Sequence, residues 1–185
     1  MFDVLLDKFP TTYKGYLIRT DFRVGIQLHT CFRDNNLTQE EKYFTMFKLL
    51  YGNGIPRDTE LAFEGLLWFM CVGNLPKKDN NQNNKSEKEV LNFEIDATKI
   101  YSSFKSKFGI DLNTEKMHWF AFRYLMMELR DCHLSDVIEI REKKIDKNMS
   151  REEKNWYLKY KKEYAIEQSK DDEDILEEIR KTRCK

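Results

Sequence analysis

No run of apolar residues in the 185-residue sequence reaches the length a membrane span needs. The N-terminus, MFDVLLDKFP, carries acids where an export signal carries bases, and no long apolar core follows. The expected setting is therefore the cytosol that made the chain. An excess of either charge is also missing. Lys and Arg number 32, Asp and Glu number 32, and the formal net charge is zero. Such a chain exerts no global pull on nucleic acid or anionic lipid, and it has little protection against self-association. The four cysteines, Cys31, Cys71, Cys132 and Cys184, form no CxxC pair. Without export signals, that spacing argues for reduced thiols.

Catalytic patterns are equally scarce. His118, one helical turn before Phe122, meets no second ligand, so no HExxH-like metal pattern exists. Cys132 and His133 are adjacent, and neighbouring side chains do not converge on one helix face. There is no GxSxG elbow, and Cys71 lies in an apolar segment that would hold its thiol protonated. GNGIP at 52–56 reads as a helix stop and a turn, not a phosphate cradle. No pair of acids stands out for acid–base work. The expectation is a protein that is not an enzyme and needs no cofactor or metal.

What is present is helical. Aromatics make up 14% and charged residues 35%, a globular composition. Thr38 with Glu41 forms a capping box before QEEKYFTMFKLLY, and Ser150 with Glu153 another before KNWYLKYKKEYAI. Asp58 is placed to cap TELAFEGLLWFMCV, and Asp96 to cap ATKIYSSFKSKF, which Gly109 ends. A further helix follows Thr20, over 21–33. Asn113 is positioned to cap MHWFAFRYLMMEL. Strand signals are confined to a small hairpin of 11–13 with 16–19 around Lys14-Gly15, and a short segment at 92–95. The fold class is mainly α, an irregular helical bundle with a small N-terminal β-hairpin. KKDNNQNNKSEKE marks a mobile loop at 77–90 inside a helical core domain of residues 1–148. Residues 149–185 form an amphipathic C-terminal helix and a charged tail.

Two segments are apolar on most sides. MHWFAFRYLMMEL leaves only Arg123 and Glu128 clearly polar beyond its first turn, and the helix after Asp58 has the same character. Such helices cross at the centre of a core or dock a partner, and His118 reads as packing rather than chemistry. Trp68 and Trp119 are expected in or beside that core. Methionine-rich and aromatic surface also suits an adaptable docking groove. The C-terminal helix has a narrow stripe of Trp156, Tyr160 and Tyr164, at i, i+4 and i+8. A narrow stripe either seals a core or serves as a docking edge. The partner-binding candidates are Trp156, Tyr160 and Tyr164 with Met126 and Met127. KYKK at 159–162 is interrupted by glutamates on both sides, so a solvated face is favoured over a nucleic-acid surface.

FPTTYKGYLIRTDFRVGIQ, LLYGNGIPRD, LLWFMCVG, FEIDATKIYSSFKSKFGIDL and MHWFAFRYLMMEL occur in an order that resembles the bacteriophage gene-product-fifteen family. MSREEKNWYLKYKKEYAI resembles the basic helix that closes it. The resemblance spans roughly residues 1–168. Phe120 stands where that family usually has a second tryptophan after the His-Trp pair. The resemblance implies a phage or prophage gene of the tail cassette, beside the tape-measure gene. It implies a tail assembly chaperone that binds the tape-measure protein and brings tail-tube subunits to it. The alternative is a structural component of the tail or connector. Either implies action in the bacterial cytoplasm during assembly, with the structural alternative ending in the virion. A homo-oligomer remains open, and the family brings no catalytic residues.

Overall fold

The computed structural model describes residues 3–75 and 90–166. The loop expected at 77–90, save its last residue, lies outside them. So do Cys184 and the charged tail. Among the described residues the protein is mainly α: seven helices and one two-stranded antiparallel hairpin. They fall into two compact units. Among the described residues, one comprises 3–75 with 104–128, the other 90–103 with 129–166.

In the first unit, β1 (Thr12–Tyr13) pairs with β2 (Tyr16–Leu17), Tyr13 facing Tyr16. Lys14 and Gly15 both take positive φ, 44° and 88°, the primed-turn geometry that a two-residue hairpin needs. The hairpin is anchored by Tyr13, whose buried ring lies 4.9 Å from that of Trp68. Helix α1 (Phe22–Arg33) starts at Asp21, whose carboxylate accepts the Arg23 N–H at 2.9 Å. Helix α2 (Gln39–Tyr51) opens on the expected capping box. The Thr38 hydroxyl accepts the Glu41 N–H, and the Glu41 carboxylate accepts the Thr38 N–H at 2.8 Å. Helix α3 (Thr59–Met70) is capped by Asp58, also as expected.

Helix α4 (Ala97–Phe108) ends at Gly109, φ 69°, and its last residues belong to this unit. Helix α5 (Trp119–Met127) supplies the centre. Phe122 stacks on Phe22 at 4.9 Å and on Phe104 at 5.0 Å, with interplanar angles of 16° and 12°. Trp119 lies 5.7 Å from Phe122 and 6.3 Å from Phe69 of α3. Trp119, Phe120, Phe122, Phe69 and Phe104 are wholly buried, so most of the apolar side chains of both segments fill the core, while Leu67 and Met127 stay exposed. Trp68 sits at its margin, half-buried. Close approach of α1 depends on Gly25, where a Cβ would overlap the indole of Trp119.

Two local expectations change. MHWFAFRYLMMEL does not start its helix at Asn113. The backbone pairs first with the start of α1: Phe22 N–H donates to Met117 O at 2.9 Å, and Trp119 N–H to Thr20 O at 2.7 Å. That bridge holds Met117 and His118 out of the helix, so the helix begins one residue after His118 and His118 is its cap. The segment 92–95 is a turn, not a strand. The Asn92 side-chain oxygen accepts the N–H groups of Glu94 and Ile95, at 2.9 and 3.0 Å, which bends the chain into α4.

The second unit contains α6 (His133–Glu142), a helix the sequence analysis did not assign, and α7 (Arg151–Glu163). Leu134 and Val137 of α6 and Leu158 of α7 are buried, with Ile100 and Leu129. A buried ion pair joins Arg141 to Asp96, the residue expected only as a helix cap. Lys161 donates its ammonium to Arg141 O at 2.7 Å, tying α7 to the end of α6.

Candidate docking groove between α6 and α7

Helix α7 is started by Ser150 and Glu153, which reciprocally accept each other's N–H at 2.9 and 3.2 Å. The first turn is acidic, with Glu152 and Glu153, and the last basic, with Lys161 and Lys162, matching the helix dipole. The face that enters the core is not the aromatic one. Leu158 and Lys161 are the buried residues of α7, whereas Trp156 is 47% exposed and Tyr160 and Tyr164 are half-buried. The three rings form a ladder along the helix, 4.5 Å from Trp156 to Tyr160 and 6.0 Å from Tyr160 to Tyr164. The spacing of four residues puts them on one face, while Lys161 donates to Arg141 O and Arg141 donates to Tyr164 O, tying the helix to α6.

Opposite stands α6. Ser135 closes its first turn: its hydroxyl accepts the Cys132 N–H at 3.0 Å and donates to Cys132 O at 2.7 Å. That start sets His133, Asp136 and Ile140 along the outer side of the helix, with Glu139 beside them. Together the two helices enclose an open groove of about 410 Å3. Its α7 wall is Trp156, Tyr157, Tyr160 and Tyr164, and its α6 wall includes His133, Asp136, Glu139 and Ile140 over Val137. The His133 ring meets the Tyr164 ring edge-on at 6.0 Å. The groove is thus aromatic on one side and acidic on the other.

Of the residues singled out from the sequence, Trp156, Tyr160 and Tyr164 come together here. Met126 and Met127 belong to α5 of the other unit, where Met127 is 62% exposed. The α6 wall was missed because its outer residues are polar and give no apolar periodicity. The only legible sign was Asp136 and Glu139, three residues apart.

His118 is a structural residue in this geometry. Its Nδ1 accepts the Phe120 N–H at 3.0 Å, so Nε2 carries the proton and donates to Pro10 O at 3.0 Å. Phe9 stacks on the ring at 4.9 Å. Burial pushes the imidazole pKa down, partly opposed by the Pro10 carbonyl, and the neutral ring is the form the cap requires. Among the described residues, no three His, Cys, Asp or Glu side chains cluster as a metal site would need. No described helix is long and apolar enough to cross a membrane.

Fold and site define a mainly helical protein with an open aromatic groove. The chain belongs to the bacteriophage Gp15 protein family, whose model matches residues 1–166 and so includes both walls of the groove. No curated protein and no solved structure matches the chain.

Proposed function

We propose that this phage protein is a tail assembly chaperone that binds the tape-measure protein in the host cytoplasm and hands it to tail-tube subunits. The observation that carries the reading is the placement of the α7 aromatics. Trp156, Tyr160 and Tyr164 face the α6–α7 groove, while Leu158 and Lys161 do the packing. Partly exposed aromatic rings around a groove are the usual anchors of helix recognition. A tape-measure chain offers such helices, with apolar stripes uncovered until the tube closes around it. Zero net charge leaves recognition to this local surface.

The test is co-purification of the tape-measure protein with wild type and with Tyr160→Ala plus Tyr164→Ala. Both substitutions keep the backbone, including the Tyr164 carbonyl that Arg141 holds. A docking edge predicts a nearly unchanged melting temperature with lost co-purification. A large fall in melting temperature with binding retained by the folded fraction would sink the reading. Mass spectrometry of purified virions separates the alternative: a chaperone is absent from them, and a structural tail or connector component is present in fixed copy number.

A further inference from the structure

The aromatic wall explains adhesion but not choice of partner. The residues around the groove include two carboxylates, Asp136 and Glu139, both exposed, and no lysine or arginine among its described lining. Neither carboxylate makes an ion pair among the described residues. Two of the α7 rings already carry a lysine of the chain itself, the Lys143 ammonium 5.8 Å from the centroid of Tyr157 and that of Lys159 5.3 Å from Tyr160. Ring faces carry negative electrostatic potential, and a carboxylate across a narrow groove adds to it.

We infer that the groove selects a helical protein segment that presents lysine or arginine beside an apolar anchor. The apolar anchor seats between Ile140 and the rings. The cation lies against an aromatic face and within reach of Asp136 or Glu139, an arrangement that arginine meets best because its planar guanidinium stacks and bridges together. An acidic segment in the same place would set like charge against like and leave the ring faces repelling it. The inference rests on the proposed function only in taking the occupant to be a helical segment of a partner protein. What it adds is the sign of that segment's charge.

The experiment uses the full chain and two synthetic amphipathic helical peptides with identical apolar residues. One carries Lys and Arg on the flanking positions, the other Glu. Binding is read by fluorescence polarisation of the labelled peptides at low and high salt. The basic peptide should bind at least about tenfold tighter, a preference that shrinks with salt. Asp136→Asn with Glu139→Gln should remove most of that preference, whereas Glu40→Gln with Glu60→Gln, exposed carboxylates on α2 and α3, should keep it. Equal binding of the two peptides overturns the inference, as does a preference that survives the groove pair or falls equally with the control pair. Co-purification of the tape measure by a protein without the charge preference leaves the proposed function standing and the inference refuted. The reverse result refutes the function alone.

Discussion

Arg141 donates to both carboxylate oxygens of Asp96, at 2.6 and 2.9 Å, and neither side chain is more than 4% exposed. The same guanidinium reaches Val90 O at 3.0 Å and Tyr164 O at 2.7 Å, so one side chain gathers the entry to α4, the end of α6 and the end of α7. A buried pair adds little over a well-packed apolar pair, but breaking it strands a charge. Arg141→Met should therefore cost about 3–5 kcal/mol in urea unfolding, and Arg141→Met with Asp96→Leu should recover a large part of that loss.

Burial by itself would raise the Asp96 pKa, but hydrogen bonds from Arg141 and the Asn92 N–H, with the charges of Arg141 and Lys99, outweigh it and hold it low. A depressed carboxylate stabilises the fold above its unfolded pKa of about 3.9 and loses that contribution as pH falls through the folded value. The second unit should consequently lose stability below about pH 4, and Asp96→Asn should remove that component of acid sensitivity. Far-UV circular dichroism against pH, with Trp156 emission in a Trp68→Phe, Trp119→Phe background, would check it.

His29 of α1 titrates in a different window. Burial brings its pKa down to about 4, with further lowering from Arg123 and Arg33. Between about pH 4 and 6.5 the unfolded chain binds a proton that the folded chain refuses, so stability rises with pH across that range. The contribution is on the order of 3 kcal/mol, and it should be flattened in His29→Gln when urea midpoints are compared at pH 4.5 and 7.

Gly25 should tolerate nothing larger. A Cβ there overlaps the Trp119 indole, so Gly25→Ala should destabilise by about 1–3 kcal/mol despite alanine's better helix propensity. Trp119→Ala should cost about 3–5 kcal/mol, since the ring is wholly buried. The pair should be less harmful than the two losses added, because removal of the ring relieves the clash. Thermal unfolding of the four proteins measures the coupling.

His118 offers a graded series. His118→Asn keeps a side chain that can accept the Phe120 N–H but loses the Phe9 stack and the bond to Pro10 O. His118→Ala loses all three. Melting temperatures should fall in the order wild type, Asn, Ala, the last step reflecting about 1 kcal/mol for the lost cap. Metal content should be the same in all three.

The sequence by itself determined the helix starts at Thr38, Asp58 and Ser150, the hairpin at Lys14-Gly15, and the common face of Trp156, Tyr160 and Tyr164. Each depends on residues within a few positions of one another, where capping chemistry and helical period act directly. Membership of the phage family was legible in the same local motifs. Only the tertiary structure decided the rest. His118 became a cap because Thr20 and Phe22, far off in the chain, hold its backbone extended. Asp96 became half of an ion pair because its partner lies 45 residues away. The α6 wall of the groove stayed hidden because its exposed residues are polar, and a polar face shows its use only when a neighbouring helix places aromatic rings across from it.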